Sequence, residues 1–412
     1  MTDRLYYTDP YLREFEGVIA AIDRRGDQLV AVLDRTCFYP TSGGQPFDVG
    51  TLGDHRVVDV IDQEDGSVAH VLENPNGATP ASSTRAPILQ AGDRVRGAID
   101  WPRRFDHMQQ HTGQHVLSAA FDRLFKVRTV SFHLGAVAAT IDLAREVSAK
   151  EITAAEDAAN DVVWQDRPVS IRYATAEEAA QLPLRKEPVR EGTLRLIDVE
   201  NFDLSACGGT HVARTGAIGT IVVGAVERFK GGSRIEFFCG GRAVKRFRAL
   251  RDTTGATTKL LSAGLDDLPG AIEHLQAEAR EQKRALVALH SELARFRAIE
   301  LAAAAEPIAS GRVVLKAIDA DAPGLKALAS AVCANAGFAV VLISTARPAL
   351  VVVCRSADVS ANAKEILTAL TAKFGGRGGG SPEMAQGGGL DAPSEAIIAE
   401  ARRRLLQIAP AT

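Results

Sequence analysis

The chain has 412 residues, a net charge of −3 at pH 7, 46% hydrophobic and 24% charged residues. That length exceeds what one hydrophobic core serves, so two or three domains are expected, and the balance excludes disordered and fibrous classes. So small a net charge creates no global field for nucleic acid, and any phosphate contact has to come from local patches.

The amino-terminal MTDRLYYTDPYLREFEG alternates charge with aromatics and lacks the apolar segment of a signal peptide. Apolar runs such as 338–343 and 349–354 are too short to span a bilayer. Five scattered cysteines suit a reducing cytoplasm better than a disulfide framework. Strand-like runs at 18–22, 28–33, 57–61 and 68–72 are separated by turn pairs such as Arg25-Gly26 and Asn76-Gly77. This spacing predicts a small antiparallel barrel or sandwich over 1–92, with 77–87 as a linker or long loop. Within it, CFYPTSGGQPFD (37–48) places hydroxyls, a glycine pair and an amide between strands. Such a segment allows close backbone approach to a small polar ligand, although alone it reads as a turn.

After Trp101-Pro102 the period becomes helical. Phe105, Met108, His111, His115, Phe121 and Phe125 form one stripe, and Pro102 suits the helix start. Strands at 129–134 and 138–143, a helix at 148–164, and strands at 218–223 and 234–238 around Gly231-Gly232 complete an α+β region over 93–241. Over 242–306 Leu275, Leu286, Leu289, Leu293 and Phe296 recur among charged residues, predicting a long helix or helical hairpin broken near Pro269-Gly270. The region 307–412 reads as a small βαββα domain: strand 313–318, helix 324–334, strands 339–344 and 350–354, helix 361–374, closed by a helix at 394–408. A glycine-rich tract at 375–389 precedes that last helix, and Pro382, Glu383, Met384 and Gln386 within it suggest a structured turn. The class expected overall is multidomain α+β. Two basic patches, Arg103-Arg104 and Arg242, Lys245, Arg246, Arg248 and Arg251, each read alone as a solvated helix face.

Two short motifs carry metal chemistry. In HTGQH, His111 and His115 lie one turn apart on one helix face, as a single ion requires. Thr112 stands where an HExxH metalloprotease needs a glutamate base, which excludes that reaction. In Cys207-Gly208-Gly209-Thr210-His211 a glycine-rich loop turns a sulfur and a nitrogen donor toward one point. Together they make a Cys-His₃ set suited to tetrahedral zinc. His107 is assigned a supporting role beside the ligands or a place at the surface. A full set of four protein ligands leans toward structural zinc, whereas catalytic zinc keeps a position open, and the spacing leaves both readings standing.

Taken in order, these motifs resemble the editing domain of alanyl-tRNA synthetase and the related AlaX proteins. FYPTSGGQPFDVG resembles their substrate loop, HTGQH with VLSAAF their first zinc half, and CGGTHVARTGAIG their second. GGRGGGSPEMAQGGG is similar to the glycine-rich signature of the synthetase's C-terminal domain, which also occurs in DHH phosphoesterases. No DHH motif is present, since Met108 follows Asp106-His107, and a carboxylate-rich metal cluster is lacking. The resemblance implies the long AlaX form: barrel, zinc editing domain, helical connector and C-terminal glycine-rich α/β domain, with no aminoacylation domain ahead of the barrel. It implies zinc on His111, His115, Cys207 and His211, and hydrolysis of the ester in seryl- or glycyl-tRNA(Ala). A pocket built for alanine discriminates poorly against these neighbours, so a second site has to destroy the product. Thr41, Ser42 and Gln45 carry over to the substrate loop. Gln114 occupies a position where many relatives carry a small hydroxyl residue, so its amide bears on the pocket's width or on how the substrate hydroxyl is read. Asp48 and Gln45 are expected as orienting groups, and no general base is identified. Gly376, Arg377, Gly378, Gly379 and Gln386 are expected to meet tRNA or another subunit. The partners implied are mischarged tRNA(Ala) and a second copy of the chain, through the connector or the C-terminal domain. The competing reading is a non-catalytic tRNA-binding protein stabilised by zinc.

Overall fold

A computed structural model describes residues 1–25, 28–73, 89–185, 192–308 and 311–407. The linker expected at 77–87, Gly26 and Asn76 lie outside the described residues. The chain divides into two compact units, Met1–Ala256 and Thr257–Thr412.

The first unit opens with β1 (Asp3–Arg4), β2 (Glu14–Arg25), β3 (Gln28–Leu33), β4 (Arg35–Thr36), β5 (Gly50–Leu52), β6 (His55–Asp62), β7 (Val68–Leu72) and β8 (Arg94–Ile99). Six of these close an antiparallel barrel in the order β2-β3-β7-β6-β5-β8, while β1 and β4 make a short parallel bridge. Closure depends on β2, which pairs with β8 along its first half and β3 along its second. Phe15, Ile19, Leu33, Phe38, Leu52, Val57 and Leu72 fill the interior. A closed barrel leaves no sheet edge unpaired, and the choice between barrel and sandwich falls to the barrel. The sequence expectation lacks β5 and β8. Both carry glycines at crowded points: the Phe15 ring lies against Gly97, and the Ala98 carbonyl against Gly50.

Helix α1 (Trp101–Phe125) follows directly, with Asp100 capping it through the Arg103 amide at 3.1 Å. Its Met108, Val116, Leu117, Ala120 and Phe121 enter the core of this unit. Then come β9 (Thr129–Leu134), β10 (Ala139–Leu143), α2 (Ala149–Trp164), β11 (Val169–Ala174), α3 (Ala176–Ala180), β12 (Leu194–Val199), β13 (Asp203–Ala206), β14 (Ile221–Phe229), β15 (Gly232–Cys239) and α4 (Gly241–Leu261). Ser148 and Glu151 form a reciprocal capping box on α2. The strands make two antiparallel sheets, β14-β15-β10-β9 and β11-β12-β13. The second sheet has no counterpart in the sequence expectation. Its central strand β12 is buried on both faces, so it shows no alternation to read.

The second unit contains α5 (Leu268–Ala303), β16 (Glu306–Ile308), β17 (Gly311–Ile318), α6 (Ala322–Cys333), β18 (Phe338–Ser344), β19 (Ala349–Arg355), α7 (Ala363–Phe374), β20 (Arg377–Gly380), β21 (Met384–Leu390) and α8 (Ser394–Leu406). They build one sheet in the order β16-β17-β18-β19-β21-β20, in which β17 and β18 are parallel across α6. The break expected near Pro269-Gly270 is present between α4 and α5, and Pro269 lies in the first turn of α5, where its missing N–H costs nothing. The glycine tract is a strand pair, β20 with β21, rather than a turn throughout. Glycine is required there because a Cβ on Gly378 would come within 2.5 Å of the Gln386 carbonyl oxygen, and one on Gly387 within 2.9 Å of Leu367 on α7 and 3.0 Å of the Arg377 carbonyl oxygen. Among the described residues no helix is long and apolar enough to cross a membrane.

Candidate metal centre

Helix α1 presents His111 and His115 one turn apart, and the loop leaving β13 delivers Cys207 and His211. One donor atom from each lies within 4.8 Å of all the others. The Cys207 Sγ is 3.4 Å from His111 Nε2 and 3.4 Å from His211 Nε2. Tetrahedral zinc, with bonds of about 2.3 Å to sulfur and about 2.0 Å to nitrogen, sets such atoms about 3.5 Å apart. A thiolate with three imidazoles is also a donor set that suits zinc rather than magnesium or calcium. The loop needs its glycines: a Cβ at Gly209 would run into the His111 ring.

With Nε2 turned to the centre, each imidazole carries its proton on Nδ1 and donates it outward. His111 Nδ1 donates to Gln45 Oε1 at 2.8 Å. The same oxygen accepts from the Thr210 amide at 3.1 Å, and Gln45 Nε2 donates to Thr210 Oγ1 at 2.9 Å, which fixes the side-chain amide. His115 Nδ1 donates to Asp203 Oδ2 at 2.9 Å, and His211 Nδ1 to Thr112 Oγ1 at 3.2 Å. Phe132 stacks on His111 with ring centroids 5.3 Å apart.

Burial opposes ionisation of Cys207, but the nearby His111 and His211 outweigh it and hold the thiol well below its ordinary value. Burial lowers His115, yet its hydrogen bonds to Asp203 and Cys207 raise it to about 9. His211 goes the other way, to about 3, because burial and the neighbouring His111 both disfavour its charge. A thiolate beside an imidazolium is poised to exchange one proton for a cation.

The substrate-loop residues take distinct positions. Thr41 is exposed and its Oγ1 accepts from the Phe47 amide at 3.2 Å. Ser42 is half-buried and pairs through its backbone with Gln45 across Gly43 and Gly44, whose φ values of 56° and 87° make the tight turn. Gly44 sits on β9, where a Cβ would lie 2.9 Å from the Phe132 carbonyl oxygen. Gln45, which the resemblance places at the substrate, is wholly buried with its amide on His111 and Thr210. Gln114 is buried and donates to Ser118 Oγ at 2.8 Å. Gly376, Arg377, Gly378, Gly379 and Gln386 lie in the second unit, exposed on and beside the β20–β21 ribbon.

Four expectations are overturned. Asp48 orients no water: it is fully buried, paired with Arg104, and accepts from the Tyr39 amide at 2.7 Å. Arg104 is correspondingly no phosphate contact, since its remaining donors reach the carbonyls of Pro10 and Cys37 at 2.9 and 2.5 Å. Arg242 leaves its patch as well, buried against Asp106 at 2.7 Å, while Lys245, Arg246, Arg248 and Arg251 stay exposed. A guanidinium folded into the interior has to be paired, so these arginines are structural. His107 is not at the surface: one turn before His111 on α1, it is 3% exposed and its Nδ1 has no partner. Conversely, the sequence reading missed Asp203 and Arg185. A lone acid four residues before Cys207 gives no signal until the register of β13 sets it under His115.

The comparisons with known proteins follow the same layout. Residues 12–103 match the family described as tRNA synthetases class II (A), 194–236 the threonyl and alanyl tRNA synthetase second additional domain, and 310–409 the DHHA1 domain. The alanyl-tRNA editing protein AlaX-L of Pyrococcus horikoshii is 29% identical over 416 residues, covering 98% of each chain. The alanine–tRNA ligases of Pyrococcus abyssi and Methanoregula boonei are 31% and 34% identical over 94% of this chain. The chain spans only 42% of the length of either ligase. The matched domains and the end-to-end similarity to AlaX-L fit the AlaX family of alanyl-tRNA editing proteins.

Proposed function

We propose that this protein hydrolyses the ester bond of mischarged tRNA(Ala), seryl-tRNA(Ala) first and glycyl-tRNA(Ala) second, at the His111–His115–Cys207–His211 centre. The observation that carries this reading is the convergence of the four donors on one point, each histidine held by a hydrogen bond on its far side. Zinc bound there supplies a positive centre that polarises the ester carbonyl or a water. Gln45, Asp203 and Thr112 hold the rings in register, which is what preorganised electrostatic catalysis requires. Thr41 and Ser42 stand at the rim of the turn whose Gln45 reaches His111, so an aminoacyl group resting on that rim lies beside the cluster. A hydroxyl there can recognise the serine side chain, which alanine cannot match.

By this reading residues 1–92 are the barrel, 93–241 the zinc editing domain, 242–306 the connector and 307–412 the tRNA-facing domain, with Gly376, Arg377, Gly378, Gly379 and Gln386 on its contact ribbon. The apolar stripe of α5 pairs two copies of the chain. The complete ligand set supports a second reading, a tRNA-binding protein whose zinc is purely structural. Following amino acid released from seryl-, glycyl- and alanyl-tRNA, with and without a chelator, separates the two. The first reading expects seryl- and glycyl-tRNA to be cleaved, alanyl-tRNA spared, and activity lost both in chelator and in Cys207→Ala. Full activity in metal-free Cys207→Ala overturns it, and zinc and tRNA binding without any release favours the second.

A further inference from the structure

The three imidazoles hand their Nδ1 protons to unlike acceptors: the Gln45 amide, the Thr112 hydroxyl and the Asp203 carboxylate. Of these, Asp203 alone is charged. We propose that Asp203, clamped by Arg185, is a positioning residue that sets how tightly the cluster holds zinc, acting through His115. This rests on reading the cluster as a zinc site and not on deacylation.

The Asp203 side chain is wholly buried and both its oxygens are engaged. Besides His115 it accepts from Arg185 Nε at 2.6 Å and Nη2 at 3.3 Å, and from Ser205 Oγ at 3.1 and 3.0 Å. Held from three sides, the carboxylate cannot rotate away from the imidazole. Arg185 is itself anchored, its backbone amide donating to the Leu204 carbonyl at 3.0 Å. A carboxylate acceptor draws the Nδ1 proton and leaves more electron density on Nε2, so the nitrogen–metal bond strengthens. An amide or a hydroxyl orients a ring with far less of this effect. The guanidinium supports this: without it a second buried anion would stand near the Cys207 thiolate, at high cost in a low-dielectric interior. The Arg185–Asp203 pair therefore adds basicity to one ligand without adding net charge.

Zinc dissociation constants from competition with a chromophoric chelator test this on the full chain. Asp203→Asn preserves shape and removes charge; it is expected to weaken zinc binding about 10- to 100-fold. Arg185→Gln is expected to weaken it less, and Thr112→Val least. In cobalt-loaded protein Asp203→Asn should shift the d–d bands while keeping the thiolate charge-transfer band, a change that general loosening would not produce. Circular dichroism checks that each variant is folded, and if Asp203→Asn does not fold, the order of Arg185→Gln and Thr112→Val decides. Folded Asp203→Asn with unaltered affinity overturns the inference, as does Thr112→Val losing as much as either member of the pair. A chain that binds zinc in this graded way yet cleaves no aminoacyl-tRNA defeats the proposed function and leaves this inference standing.

Discussion

Between the two helix ligands, Gly113 lies where α1 crosses β15, and the Cys239 sulfur occupies the place a Cβ would take. Two effects oppose each other there. Alanine favours a helix interior over glycine by about 1 kcal/mol, whereas forcing a methyl group into a packed core costs about 1–3 kcal/mol. Gly113→Ala alone is therefore expected to destabilise the fold by about 1 kcal/mol or more in urea unfolding. In a Cys239→Ala background the obstruction is gone and the same change should stabilise. An identical sign in both backgrounds would show that the sulfur is not the obstacle. The contrast with the ligands is informative. His111, His115, Cys207 and His211 were legible because helix pitch and a glycine loop set their spacing locally. The burial of Arg104 on Asp48 was not, because an Arg-Arg pair reads alike whether it faces phosphate or a carboxylate 56 residues away.

At the level of elements, α5 shows how far periodicity reaches. Ile272, Leu275, Ala279, Gln282, Leu286, Leu289, Leu293 and Phe296 follow alternating three- and four-residue steps along its 36 residues, the heptad of a two-stranded seam. Leu286, Leu289 and Phe296 are 55%, 60% and 63% exposed, a stripe that association would bury. Sedimentation is expected to give a dimer. Leu286→Glu with Leu289→Glu should give a monomer with its helix content intact, and an unchanged dimer would place the contact elsewhere. The stripe was visible in sequence because it is one-dimensional. The sheet β11-β12-β13 was not, since burial on both faces erases the alternation that identifies a strand. The glycine ribbon was not legible for a related reason: strand propensity assumes a side chain to pack, and here the close backbone of the facing strand, with Leu367 of α7, leaves no room for one.

For the whole molecule, buried histidines set the response to acid. His70, wholly enclosed in the barrel beside Thr36 Oγ1 at 2.8 Å and the Ala31 carbonyl at 3.1 Å, is pushed by burial to about 4. His107 is pushed to about 3, by burial first and Arg103 second. Below pH of about 6.5 the unfolded chain takes up protons that the fold refuses, so this stability is present above that value and lost as pH falls toward 4. His70 alone ties on the order of 3 kcal/mol to pH in this way. The melting temperature should hold between pH 7 and 8 and drop steeply below 6, with a shallower slope in His70→Gln. A flat profile down to pH 4.5 would refute it. The zinc-ligand candidates were legible in the sequence alone, because each pair lies within five residues of chain and local geometry sets its spacing. Only the tertiary structure decided that the loop holding Thr41 also holds His111 through Gln45, that Asp203 and Arg185 stand behind His115, and that Arg104 in the first turn of α1 is interior. Those relations join residues 18 to 88 positions apart, and strand register and burial create them.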